Sequence, residues 1–268
     1  MIIPDIYLNA VVSIGVRNTP HSIAWIGTGF FVGKSEGDEV DHVYPILVTN
    51  KHVFLGNDKV VIRMKKKDSN DLQIVDVDLK DKDGILLYAV HDSKDIDIAV
   101  LPINADFITG NSLDFNCFNI DTNAMSSTEL RTNGVDEGSI IYMLGFPMGL
   151  VNVNSNLPIC RMGCVSRMSE TQITEQHNIL VDIQNFPGNS GSPIITRPET
   201  ITITGTASLT KSVLVGIVHS YIPYKERLVN SQTNEIVEIR SENSGLANVH
   251  PVEYIREIIE KIYPSTLS

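Results

Sequence analysis

Apolar residues along this chain fall in short runs, and polar, turn-forming stretches separate them. Leu72-Gln73-Ile74-Val75-Asp76-Val77-Asp78-Leu79 alternates cleanly, which predicts a strand with one face buried. The run Lys59-Val60-Val61-Ile62-Arg63-Met64 alternates weakly and also reads as a strand. Residues 9–16, 26–32 and 44–50 are rich in Val, Ile and Phe, and glycines sit where a backbone bends or approaches another closely. Residues 97–103 close this first set. A polar, punctuated stretch over 104–138 reads as a linker. Strands resume at 139–145, 178–183, 193–196 and 212–218, with a turn at Phe146-Pro147-Met148-Gly149 and a hairpin or loop excursion over 197–211.

Only one segment has helical spacing. Apolar side chains at Val252, Ile255, Ile258, Ile259 and Ile262 share one helix face, and Pro251 is placed to open that helix. Many short strands followed by one terminal helix predict an all-β barrel or sandwich.

A length of 268 residues allows one large all-β domain or two small ones. The composition, 42% hydrophobic and 20% charged, is that of a globular chain. A net charge of −11 argues against nonspecific binding to nucleic acid or to an anionic membrane. The run Lys65-Lys66-Lys67 reads as a solvated loop or strand edge. No apolar run approaches the roughly 20 residues of a membrane span. Met1-Ile2-Ile3-Pro4-Asp5 lacks the basic and apolar regions of a secretory signal. Cys117, Cys160 and Cys164 are too few and too isolated for a disulfide framework or a zinc site, so they read as buried thiols. The expectation is a cytoplasmic protein without cofactor or metal.

The stretch with chemical content is Gly188-Asn189-Ser190-Gly191-Ser192-Pro193. Glycines let the backbone turn tightly and bring its N–H groups near a reacting atom. A serine on such a turn is a weak nucleophile until a base takes its proton. His52, directly after the run Leu47-Val48-Thr49-Asn50-Lys51, is the candidate base. Asp97 opens the run Asp97-Ile98-Ala99-Val100-Leu101 and is the candidate orienting carboxylate; Asp95, two residues earlier on the same strand face, competes with it. A carboxylate beside buried residues needs a partner, and an imidazole N–H fixes its own tautomer by meeting that need.

With these come Thr28-Gly29-Phe30-Phe31-Val32, Leu144-Gly145-Phe146-Pro147-Met148-Gly149 and Gly245-Leu246-Ala247-Asn248-Val249-His250-Pro251. Together, in the order His, Asp, Ser, these stretches resemble the chymotrypsin-like serine protease family, nearest its disulfide-free bacterial branches, the HtrA-type proteases and glutamyl endopeptidases. The resemblance implies two antiparallel six-stranded β-barrels, over about 8–103 and 139–250, with a C-terminal helix over 251–263 and the active site between them. It implies Ser190 as nucleophile, His52 as general base then acid, Asp97 as orienting carboxylate, and the N–H groups of Gly188 and Ser190 as oxyanion hole.

The resemblance also implies a specificity pocket lined by Gln184 and Asn185 and by His219, Ser220 and Tyr221 on the strand after Gly216-Ile217-Val218. Gln184 stands where trypsin-type pockets carry an aspartate, so a basic residue before the scissile bond is not expected. His219 resembles the pocket histidine of proteases that cleave after Glu or Gln, and an imidazole N–H can donate to either side chain. Val53 and Phe186 replace cysteines of secreted relatives, which fits a reducing compartment. Asn189 replaces the acid that pairs with a freed N-terminus in zymogen activation, so propeptide cleavage is not implied, and activity is expected to be either constitutive or controlled by loops or a protein regulator. The partner is then a polypeptide substrate. The competing reading is a trypsin-fold binding module without turnover. An α/β-hydrolase is excluded by the order of the three residues and by the missing helix after the serine.

Overall fold

The computed structural model describes residues 2–36, 39–69, 71–199 and 207–264. The N-terminal half runs α1 (Asp5–Asn9), β1 (Val11–Thr19), β2 (Ser22–Glu36), β3 (Glu39–Thr49), α2 (Lys51–Phe54), β4 (Lys59–Lys65), β5 (Leu72–Asp78), β6 (Ala89–Val90) and β7 (Ala99–Pro102). The connection carries α3 (Ala105–Gly110), β8 (Phe118–Asn119) and α4 (Ser127–Thr132). The C-terminal half runs β9 (Ile140–Gly145), β10 (Ile159–Arg167), α5 (Glu170–Gln176), β11 (Ile179–Asp182), β12 (Pro193–Thr196), β13 (Leu214–Val229), β14 (Ile236–Pro251) and α6 (Val252–Ile262).

The C-terminal strands close into the six-stranded barrel β10-β11-β14-β13-β12-β9. The expected second closed barrel is not matched by a closed ladder. The N-terminal strands form a sheet in the order β5-β4-β1-β2-β3-β7-β6, with β8 added parallel to β2. Its edges, β5 and the two-residue β6, meet only where the chain between them doubles back. There Leu87 N–H donates to the Leu79 carbonyl at 2.9 Å and Lys80 bridges Leu86. The turn over 81–85 between them is exposed.

Burial explains why β1 to β3 read as nearly unbroken apolar runs. Val12, Ile14, Phe31 and Leu47 face a core shared with β4 and β5. Their neighbours Val11, Phe30, Val32, Ile46 and Val48 face the opposite way, into a core shared with Tyr142, Leu144, Ile195, Leu214 and Ile217 of the other half. The alternation is present, but both faces meet apolar partners. In β5 only alternate residues are buried, as the sequence pattern predicts.

The predicted helix forms as α6. Val252, Ile255, Ile258 and Ile259 are buried in the same inter-half core. Each contributes about 1.5–3 kcal/mol by burial, so the helix clamps the two halves together. The stretch over 104–138 is more than a linker. Its polar residues are caps: Asn104 accepts from Asp106 N–H, and Ser126 with Glu129 makes a reciprocal capping box. Leu113, Phe118, Ile120 and Leu130 between them are buried. Several elements have no counterpart in the sequence reading: the short helices α1, α2 and α5, the two-residue β6, and two longer strand segments. One is β10. The other is the outer part of the β13–β14 hairpin, whose ladder continues beyond the barrel to Val229 opposite Ile236. Of the excursion over 197–211, residues 200–206 lie outside the described residues.

Candidate active site

Sheet register brings His52 and Asp97 together. Thr49 pairs with Ala99 and Val48 with Val100, so the residues after β3 and before β7 leave the sheet at the same end. His52 N–H then donates to Asp97 Oδ1 at 3.0 Å, and His52 Nδ1 lies 2.5 Å from Asp97 Oδ2. The Asp97 main chain is held as firmly. Its carbonyl accepts from Asn50 Nδ2 at 2.7 Å and from Lys51 N–H at 3.4 Å, and its N–H donates to His250 Nε2 at 3.0 Å. Burial alone would raise the Asp97 pKa, but the hydrogen bonds and charge of His52 outweigh it, and the net direction is down. Asp95 is exposed, and its N–H donates to Ser93 Oγ at 3.3 Å; of the two aspartates it is Asp97 that meets His52.

The serine turn is built on main-chain contacts between the halves. Thr28 N–H donates to the Ser190 carbonyl at 2.9 Å, and Gly191 N–H to the Val218 carbonyl at 3.1 Å. Thr28 Oγ1 donates to the Gly188 carbonyl at 2.7 Å and accepts from Phe146 N–H at 3.0 Å. Gly188 and Gly191 have φ of +94° and +88°, which an L side chain rarely adopts. A Cβ on Gly191 would also lie 2.0 Å from the Thr28 carbonyl. The Pro187 carbonyl accepts from Met148 N–H at 2.5 Å. A trans peptide is planar, so the Gly188 N–H points the opposite way. Gly27 lies where a Cβ would touch the Val53 methyls at 2.9 Å and the Ser190 carbonyl at 3.3 Å, which places the serine turn against the residue after His52. Among the described residues no hydrogen bond joins Ser190 Oγ to His52 Nε2. Asn189 is buried, and neither side-chain amide atom has a partner.

The expected pocket residues are placed less uniformly. Gln184 and Tyr221 are exposed. Asn185 is buried with its Oδ1 unpaired, while its main-chain carbonyl accepts from Asn243 Nδ2. Ser220 Oγ accepts from Asn248 Nδ2 at 3.1 Å. His219 presents no free donor edge. Its ring stacks on His250 with centroids 3.8 Å apart, and its Nε2 lies 2.7 Å from Asn178 Oδ1.

Burial, with the neighbouring imidazole, pushes His219 down to about 3, and burial pushes His250 down to about 4. Both rings are therefore neutral in the folded chain at pH 7. The unfolded chain binds a proton at each below about 6.5, whereas the folded chain does so only near 3 to 4. Stability is then fully present above pH 6.5 and is lost as pH falls towards 4. The expected loss is on the order of 3 kcal/mol for His250 alone. Urea unfolding at pH 7.5 and pH 4.5 checks this; equal midpoints would contradict it.

Sequence reasoning assigned no role to Thr28, Asn50 or His250. Thr28 and Asn50 lie inside stretches already singled out, one residue before Gly29 and two before His52, and that proximity was the available signal. His250 also lies inside a stretch singled out, Gly245 to Pro251, but nothing there pointed to a contact with Asp97.

The thiols correct one expectation. All three are free, but Cys160 is exposed rather than buried. Burial raises the Cys117 pKa to about 11, which keeps that group protonated. Among the described residues no helix is long and apolar enough to cross a membrane.

A barrel and a sheet packed face to face, with a His–Asp pair on one side and a glycine-framed serine turn on the other, define a trypsin-like arrangement. The model of the trypsin-like peptidase domain matches residues 27–200, well over half of the chain, and the chain belongs to that family. This membership supports a protease. A comparison with curated proteins returns no significant match.

Proposed function

We propose that the chain is a serine endopeptidase that hydrolyses peptide bonds through an acyl-enzyme. The observation that carries the reading is the two-point contact of His52 with Asp97. It holds the proton on Nδ1 and leaves Nε2 free as a base. In the proposed reaction Ser190 Oγ attacks the substrate carbonyl as His52 Nε2 takes its proton. The oxygen that becomes negative is met by the N–H groups of Gly188 and Ser190; the orientation of the Gly188 peptide supports this. The His52 imidazolium, stabilised by Asp97, gives its proton to the leaving amine. Water then repeats the sequence on the acyl group.

The partner is a polypeptide, and the setting proposed is cytoplasmic. Glu or Gln before the scissile bond remains the specificity proposed, but its carrier changes. The His219 Nε2 is engaged by Asn178, so the exposed donors among the expected pocket residues are the Gln184 amide and the Tyr221 hydroxyl. Equal cleavage after Leu or Phe in a peptide library would remove this preference.

One observation favours a second reading, a form that a protein partner activates. The buried Asn189 amide beside the nucleophile has no partner for either atom, and a rearrangement of the turn would supply one. A fluorophosphonate probe separates the possibilities. Labelling of the wild type but not of Ser190→Ala supports the active enzyme. No labelling of either, with the fold intact, supports the silent or partner-activated form.

A further inference from the structure

Behind the His–Asp pair lies a layer of imidazoles that the proposed reaction does not use. His250 is 1% exposed. Its Nε2 is 3.0 Å from Asp97 N, which can only donate, so that nitrogen must be the unprotonated one. Its Nδ1 then carries the hydrogen and donates to the His177 carbonyl at 2.8 Å. One tautomer satisfies both ring nitrogens, and the opposite one satisfies neither. The ring is confined on its faces as well as its edges. His219 stacks on it at an interplanar angle of 6°, and Tyr254 of α6 meets it edge-on. Tyr254 is fixed in turn, its hydroxyl donating to the Ile173 carbonyl at 3.1 Å and lying 3.0 Å from His177 Nδ1.

We propose that His250 is a positioning residue for the reaction. As a neutral acceptor it holds the Asp97 main chain, and through it the carboxylate, in register with His52. The stacked His219 and the Tyr254 anchor on α6 keep it in place. The inference rests on the serine protease reading. It assigns His219 to this support and not to substrate recognition. It also gives α6 a link to the catalytic centre. Removing the acceptor would leave the Asp97 N–H unpaired in a buried site, and the peptide would turn to find another partner.

Two substitutions isolate the acceptor. His250→Phe keeps an aromatic ring against His219 but has no acceptor. His250→Gln restores a carbonyl oxygen near the position of Nε2. The expected result for His250→Phe is a fall in kcat of about 100-fold, the cost of a misplacement of about 1 Å. KM should change by less than about twofold, because substrate contacts are untouched. His250→Gln should recover most of kcat. A second measurement needs no turnover and so stands if the protease reading fails. In Ser190→Ala, nitrogen NMR at pH 7 should show His250 Nε2 unprotonated, and the low-field proton of the 2.5 Å His52–Asp97 contact should be present. That proton should disappear with His250→Phe and persist with His250→Gln. A protonated Nε2 overturns the proposal. So does a folded His250→Phe with wild-type kcat or an unchanged low-field proton. If His250→Phe does not fold, the tautomer in Ser190→Ala decides. If the wild type itself neither labels nor cleaves, the protease reading fails while the NMR result still tests the arrangement.

Discussion

Ser190→Ala is expected to lower kcat by about 10⁶-fold while leaving the fold intact, the scale on which a serine nucleophile and its base act as one unit. The reasoning is local. The main-chain contacts of the turn, from Thr28 N–H to the Ser190 carbonyl and from Gly191 N–H to the Val218 carbonyl, do not involve the hydroxyl. Alanine keeps the Cβ and the backbone geometry, and the proposed oxyanion donors, the N–H groups of residues 188 and 190, stay where they are. On the proposed mechanism, the variant still binds substrate and polarises its carbonyl but cannot form the acyl intermediate. Steady-state hydrolysis of a peptide ester, with a thermal melt on the same sample, checks both halves of the expectation. Activity within tenfold of wild type would show that Ser190 is not the nucleophile.

Asp97→Asn is expected to cost about 10⁴-fold in kcat, the penalty of holding the base in its wrong tautomer. The direction follows from the two contacts. His52 N–H donates to Oδ1, so an asparagine must keep its oxygen there. Its amide group then faces His52 Nδ1, where only an acceptor is tolerated. The ring proton is forced to Nε2, and the lone pair that should receive the serine proton is gone. Raising the pH does not restore a lone pair blocked by tautomer choice, so the loss should persist across the neutral range. A kcat–pH profile of the variant checks this, and recovery of wild-type kcat above pH 8 would sink the argument.

How much of this was legible in the sequence depends on how each feature is encoded. The serine turn was legible because its glycines answer to backbone constraints, the positive φ of Gly188 and Gly191 and the close approach of Thr28. His52 and Asp97 were legible because each sits at the end of an apolar run, and strand register does the rest. The α6 face was legible because one apolar stripe meets one core. By contrast, β10 is exposed or half-buried along nearly its whole length, so no apolar period marks it. The outer β13–β14 hairpin is exposed on both faces and encodes itself only in cross-strand pairing. The short helices over 104–138 are written in caps, which look like turn residues. Least legible was the contact between His250 and Asp97, which are 153 positions apart and share no spacing signal.

The two sides of the cleft differ in how they are held, and that difference sets what can come apart first. The His–Asp side hangs from strands buried on both faces, where opening requires the whole core to part. The serine side rests on a turn with two glycines in left-handed conformations and on Asn189, a buried amide without partners. Each unmet polar atom there costs about 1–3 kcal/mol, which lowers the energy needed to leave that geometry. Loss of catalytic competence and loss of the fold are therefore separable events. On the proposed reading, the nucleophile is displaced by a rearrangement of a few residues before the base and its carboxylate come apart.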